Sequence, residues 1–306
     1  MANEIFIPYI NPIRLYVKNL QYDYNFKHLD VALNENQILD FQTNVKYYNK
    51  VQKKDNISFQ IITNYGPITV RIIDCNNNVI ANGITSTIPN IYYKSPYIAY
   101  KCDIDTTTVA EGVYYVEVIV GMSAPYTTLI SEPIYIASYI KNTVLFEYSN
   151  SINYGGAIFQ NGEIFKFRTE AILTDFQPQR DDEVFTDQNN DIVMLSSFPY
   201  RTFKLIIGNA KGTANWVVDI LNHILGLEKV LIDGKQFTVN DGAKFEPNRD
   251  RLYPLSGWTI ELREAFARNG VTVSNDIPLQ NDVIVTYVIE PKVFGNPSPV
   301  FIQQAQ

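Results

Sequence analysis

The sequence predicts a mainly β protein, with an N-terminal Ig-like antiparallel β-sandwich followed by a second β-rich α+β domain that has one clear helix, at about 214–225. Three observations support this fold class. Short segments of alternating apolar and polar residues, separated by turn signals, recur through residues 41–140. An Asp-Gly pair lies between two β-rich segments within 229–239. A single longer stretch repeats its apolar residues at helical spacing.

Residues 1–40 predict an extended N-terminal arm. Pro8, Pro12 and several aromatic residues lie among polar residues without a regular period, and Pro12 restricts the residue before it to extended geometry. Because exposed aromatic surface is costly in water, we expect the arm to pack against something. Packing on a neighbouring subunit and packing on the arm's own chain are equally compatible with the sequence.

Residues 41–140 predict the sandwich. The segments Ile57–Ile61 and Ile68–Ile72 alternate side chains on either side of the Gly66-Pro67 break, which is typical of half-buried strands. The apolar segment Val113–Val120 follows later and has the length of a strand. No helical period of useful length appears in this half, so we expect a sandwich of about 100 residues.

Residues 141–290 predict the second domain. Val217, Leu221 and Ile224 share one face of the expected helix. The turn at Asp233-Gly234 then predicts a β-hairpin, because both residue types tolerate the positive φ angles of a tight turn.

Two further segments complete the second half. The polar stretch 174–191 contains residues 181–191, which are interpreted as a solvated acidic loop. Residues 291–306 contain three prolines and no core pattern, which predicts a C-terminal tail. The predicted domains are therefore 1–40, 41–140, 141–290 and 291–306.

Charge and composition exclude several classes of protein. The chain carries 25 Lys and Arg against 32 Asp and Glu, a net charge of −7. Specific nucleic-acid binding, which needs a basic face, and docking on anionic lipid are therefore not expected. No segment approaches the roughly 18 apolar residues of a membrane span, and Met1–Leu20 lacks the regions of a signal peptide. We expect a reducing cytosol, with Cys75 and Cys102 as buried free thiols.

One pattern suggests a metal site. Asp187, Asn189 and Asp191 match the first three ligand positions of a calcium loop, but Ile192 and Phe198 stand where Gly and Glu are required. A solvated loop is the better interpretation, and calcium binding is left open.

Three other patterns lack the chemistry that they suggest. Asp181–Glu183 is acidic, but sequence neighbours do not supply the separation of two carboxylates that glycoside hydrolysis needs. In Gly208–Thr213 the second Gly comes one residue too early for a phosphate loop, and no Lys follows it. Neither His28 nor His223 accompanies a recognisable nucleophile motif. We therefore expect no enzyme activity, no catalytic, cofactor-binding or metal-binding residue, no cofactor and no small-molecule substrate.

Two blocks of sequence carry a resemblance to a known family. The first block comprises Lys46–Asp55, Phe59–Gly66 and Ile73–Ile80. The second comprises Ser196–Tyr200, Ile207-Gly208, Trp216, Leu221–Leu225 and Val230–Phe237. In these blocks the chain resembles virion structural proteins of phages that infect gut Bacteroidetes, including crass-like phages.

The resemblance implies a structural component of a bacteriophage tail or neck, a ring-forming subunit that assembles in the host cytoplasm and resides in the virion. The implied partners are copies of itself, in a homo-oligomeric ring, and other tail or portal-proximal proteins. Contacts would form through protein–protein surfaces and the terminal arms, and no functional residue carries over. The alternative is a carbohydrate- or receptor-binding β-sandwich module of a fibre or adhesin, which the 21 Tyr residues suggest.

Overall fold

The fold is described from a computed structural model. The described residues are 4–18, 47–89, 95–121, 126–159, 162–186, 188, 190–208, 212–248 and 255–265. They form eighteen strands and one helix, which confirms the mainly β class. All of them belong to one compact unit within residues 1–267. The predicted domain borders stay predictions.

The elements are given in chain order. The first nine strands are β1 (Ile5–Phe6), β2 (Leu15–Val17), β3 (Asn49–Gln52), β4 (Ile57–Thr63), β5 (Ile68–Ile73), β6 (Val79–Asn82), β7 (Ile84–Ile88), β8 (Ile98–Ile104) and β9 (Gly112–Val120). They are followed by β10 (Thr127–Ser131), β11 (Ile134–Ala137), β12 (Thr143–Ser149), β13 (Phe165–Thr186), β14 (Ile192–Ile207), α1 (Asn215–Ile224), β15 (Lys229–Ile232), β16 (Lys235–Val239), β17 (Glu246–Asn248) and β18 (Gly257–Glu264).

The first half is a sandwich of two antiparallel sheets. One sheet has the strand order β1-β4-β8-β7, and the facing sheet has the order β6-β5-β9-β10-β2. The predicted alternation in β4 and β5 follows from this packing, because Phe59, Ile61, Val70 and Ile72 all point into one core. β9 also pairs with β11, which runs parallel to β3.

The second half is a sheet that closes on itself. β13, β12, β15, β16, β18 and β14 are hydrogen-bonded in that order, and β14 pairs again with β13. The helix α1, predicted at about 214–225, presents Val217, Leu221 and Ile224 to the core of this sheet. The predicted hairpin is also present, since Asp233 and Gly234 have φ angles of 47° and 83° between β15 and β16.

A buried ion pair joins the two halves. The Arg168 guanidinium on β13 donates to both carboxylate oxygens of Asp55, at 2.5 and 3.0 Å. Both side chains are less than a tenth exposed. The same carboxylate accepts the backbone N–H of Gln52, so the turn between β3 and β4 is fixed against β13. A bidentate pair of this kind specifies one relative placement of the strands.

Residues 4–18 pack on their own chain. β1 pairs with β4 and β2 with β10, so this segment crosses from one sheet of the sandwich to the other. Between these strands, the buried Asn11 amide exchanges hydrogen bonds with the backbone of Gln60. The carbonyl of Ile10 accepts the Tyr148 hydroxyl at 2.6 Å. Of the two alternatives for the predicted arm, the described part follows the own-chain one, while residues 19–40 and the predicted tail 291–306 lie outside the described residues.

The interpretation of residues 181–191 as a loop is wrong for residues 181–186. Thr174–Thr186 is the second half of β13 and pairs with β14, with register shifts after Thr174 and after Glu183. The strand escaped notice because both of its faces are solvated there, so its polar residues follow no apolar period of two. Pairing with β14 is what holds it extended.

Candidate functional site

The projecting hairpin, defined as Gln177–Arg201, is the candidate functional site. Its strands extend beyond the last pairing of β14 with β18, at Thr202. Within the part of the chain that the structure describes, they pair only with each other up to Thr186 and Ile192. Ten residues of strand span about 30 Å at the usual rise per residue. The hairpin therefore extends well away from the closed sheet.

The base of the hairpin is anchored. Phe176 packs on Phe203 with ring centroids 5.5 Å apart, just below the hairpin. Arg263 of β18 lies 3.8 Å from the centroid of the Tyr200 ring and 3.2 Å from a carboxylate oxygen of Asp181. These contacts fix the direction in which the hairpin leaves the sheet.

The outer half of the hairpin exposes large apolar side chains on both faces. Val184 and Met194 are cross-strand partners on one face, and Phe185 and Val193 are partners on the other. A register shift after Glu183 inserts one extra residue in β14. Seven large apolar residues there are half or more exposed: Val184, Phe185, Ile192, Val193, Met194, Leu195 and Phe198.

The exposed area has the size of an interface. The seven side chains expose on the order of 700 Å² together, close to the roughly 800 Å² that each partner contributes to a standard interface. Residues 174–202 also contain six acidic and two basic residues. Apolar patches of this size with a charged rim mark protein–protein contact sites.

A second feature is an aromatic cleft of about 930 Å³ between residues 7–16 and α1. Its lining includes Trp216, Trp258, Asp219 and Lys244. The Arg14 guanidinium lies 5.4 Å from the Trp216 ring centroid, a cation–π contact. Among the described residues, the buried indole N–H of Trp216 has no hydrogen-bond partner. The cleft can therefore offer stacking surface and polar groups to a ligand.

A buried carboxyl lies behind this cleft. The Glu132 side chain is fully buried, and its Oε1 accepts the Tyr16 hydroxyl at 2.9 Å. Burial raises the pKa of Glu132 to about 7, although Tyr16, Arg14 at 3.9 Å and Asn49 each lower it. The free-energy cost of removing the carboxylate from water is larger than the stabilisation that these three neighbours give to the charged form.

The acidic residues singled out in the sequence do not form a metal site among the described residues. Asp181 and Asp182 lie on the hairpin, where each contacts an arginine. Asp191 stands at its tip, while Asp187 and Asn189 lie outside the described residues. No group of three His, Cys, Asp or Glu side chains suited to a metal ion occurs in the described part of the chain.

The histidines, glycines and cysteines considered in the sequence analysis have the following places in the structure. The Tyr154 hydroxyl and His223 Nδ1 are 2.7 Å apart, whereas His28 lies outside the described residues. Gly208 and Gly212 turn the chain before α1, where the backbone N–H of Gly212 donates to the carbonyl of Gly208. Both cysteines are free thiols; Cys102 is buried as expected, whereas the expected burial of Cys75 is wrong, because its side chain is exposed. The predicted absence of catalytic residues stays a prediction.

Sequence reasoning missed the apolar residues of the hairpin. The available signal was the run Ile192–Leu195, four apolar residues directly after a polar stretch. An apolar run of strand length next to a second β-rich segment indicates a strand that needs a partner. Together with the β-rich segment before the polar stretch, this run indicates two strands joined by a turn, which is a hairpin.

No protein-family model matches the chain, and neither does any curated protein or solved structure. In the part of the chain that the structure describes, no helix is long and apolar enough to cross a bilayer. Fold and site thus define a class, a β-sandwich joined to a closed sheet with a projecting apolar hairpin. The resemblance to phage virion proteins stays a prediction.

Proposed function

We propose that this chain is a structural component of a phage tail or neck, a ring-forming subunit that assembles through protein–protein contacts. The observation that carries the proposal is the projecting hairpin, with exposed apolar side chains on both faces. A neighbour that packs on the hairpin covers apolar side chains that are otherwise exposed to water. The resemblance of two sequence blocks to virion structural proteins supports the phage setting.

Symmetry favours a head-to-tail contact. A hairpin that inserts into a different surface of the next copy makes a heterologous interface, and such interfaces close into rings or continue as filaments. Two hairpins in mutual contact would instead bring five acidic and two basic residues on each side together, which like-charge repulsion disfavours. Other tail or portal-proximal proteins would bind the completed ring, and the segments beyond the described residues would add terminal-arm contacts.

The test is the solution mass of the purified chain, measured by light scattering across a concentration series. A double substitution, Phe185→Ser with Phe198→Ser, removes the two exposed aromatic residues of one hairpin face. Wild type should form a closed oligomer, and the double variant should be monomeric. Ile172→Ser, at an apolar residue that is 41% exposed and lies on the closed sheet itself, is the control and should assemble normally.

Two results would contradict the proposal. One is a wild-type chain that is monomeric at every concentration and absent from purified phage particles. The other is a double variant that assembles as wild type does, because assembly would then not depend on the hairpin.

The aromatic cleft favours a second candidate, the carbohydrate- or receptor-binding module. Indole rings beside carboxylate, amide and amine groups are suited to sugar stacking and hydrogen bonding. A glycan array decides between the two candidates. Binding that disappears in Trp216→Ala supports the second candidate, and an array without signal removes it.

A further inference from the structure

One edge of the sandwich is suited to receive the hairpin. β6 and β7 are joined through Gly83 and lie at the same edge of the two sheets. Among the described residues, β6 pairs only with β5, and β7 pairs only with β8. The outer side of each strand therefore offers backbone N–H and C=O groups for pairing with another strand.

The β7 half of this edge is the better docking strand. β6 carries a bulge at Ile80, which interrupts regular pairing. β7 is regular over Ile84–Ile88, and Ile84 is 74% exposed. Proteins usually protect such edges with charged residues, prolines or bulges. No charged residue occurs between Cys75 and Tyr93, and the nearest proline, Pro89, comes after β7 has ended.

The hairpin has the features that this edge requires. Over Gln177–Thr186 and Ile192–Arg201, its strands pair only with each other among the described residues, so in that part of the chain each has a free outer side. Added to an edge strand, such a strand extends the sheet through backbone hydrogen bonds, and side chains on alternate residues supply specificity. The apolar residues of the hairpin would then lie beside Ile84.

Charge and area identify the occupant as a second copy. The hairpin is acidic, and residues from Cys75 to Tyr93 carry no charge, so the edge strand itself opposes no like charge to it. A second hairpin would repel the first. The exposed apolar surface of the hairpin is about one partner's share of a stable interface.

We propose that the projecting hairpin of one copy adds to β7 of the next copy and continues its sheet. This inference rests on the proposed function and specifies the two surfaces that meet. Because the two surfaces differ, each copy uses its hairpin on one side and its β7 edge on the other.

The test combines two variants. Ile84→Lys places a charge on the edge, as natural edge strands do, and leaves the hairpin intact. Phe185→Ser with Phe198→Ser damages the hairpin and leaves the edge intact. Each variant alone should be monomeric, while an equimolar mixture should form a complex of twice the monomer mass and nothing larger. This complex also shows that both variants are folded. Ile152→Lys, 65% exposed in a loop, is the matched control and should assemble as wild type does.

Each alternative outcome has a distinct meaning. If Ile84→Lys assembles as wild type does while the hairpin variant is monomeric, the receiving edge is wrong and the proposed function stands. If the mixture stays monomeric, the head-to-tail pairing of these two surfaces is refuted. If wild type itself is monomeric throughout, both proposals fall.

Discussion

Replacing Glu132 by Gln should make the protein more stable at alkaline pH. Glu132 follows β10, and its carboxyl is fully buried beside Tyr16 and Arg14. Burial raises its pKa to about 7, against 4.5 for the ordinary side chain. Gln keeps the shape of the protonated carboxyl and cannot ionise, so it removes the cost of holding a charge there.

The magnitude follows from the two pKa values. A group whose pKa is about 7 in the folded chain and about 4.5 in the unfolded chain changes the free energy of unfolding by about 3 kcal/mol. Since the folded-state pKa is the higher one, this contribution is fully present below about pH 4.5. It is lost as pH rises through about 7 and does not change further at higher pH.

Urea unfolding of wild type and Glu132→Gln at pH 5 and pH 8.5 measures this difference. The two proteins should differ little at pH 5, and the variant should be more stable by up to about 3 kcal/mol at pH 8.5. Glu111→Gln is the control, because hydrogen bonds from Ser138 lower the pKa of that exposed carboxyl. The Glu111 variant should not gain stability at high pH. A difference between wild type and Glu132→Gln that is the same at both pH values would refute the reasoning.

Two further substitutions test the framework. Asp55→Asn leaves the buried Arg168 guanidinium without its counter-charge and should lower the free energy of unfolding by about 3–5 kcal/mol in urea titration; a loss below about 1 kcal/mol would contradict the role of this pair. Gly212→Ala should lower the melting temperature, because Gly212 has a φ of 76° and an added Cβ would lie 2.7 Å from the backbone of Leu255. Unchanged melting would show that the turn before α1 tolerates a side chain.

Local sequence rules predicted the elements that bury one face or make one tight turn. β4 and β5 alternate because one side of each lies in the sandwich core. The Asp233-Gly234 turn follows from the positive φ angles of both residues. The helix was found because its apolar residues share a buried face. In each case, one local physical requirement leaves a period or a residue pair in the sequence.

The candidate site could not be predicted in the same way. Thr174–Thr186 has two solvated faces, so nothing in its own pattern distinguishes a strand from a loop. Its exposed partners on β14 are apolar, which becomes informative only once the register with β13 is known. The ion pair of Asp55 and Arg168 joins residues 113 positions apart, and no local pattern reports such a contact.

The central claim is that the projecting hairpin is buried when copies assemble. Hydrogen exchange of the backbone amides in Gln177–Thr186 and Ile192–Arg201 tests this most directly, with samples compared at high and low protein concentration. We predict slower exchange in both segments in the concentrated, assembled sample, and no change in the Phe185→Ser, Phe198→Ser variant. Equal exchange in the assembled and dilute wild-type samples would contradict the claim.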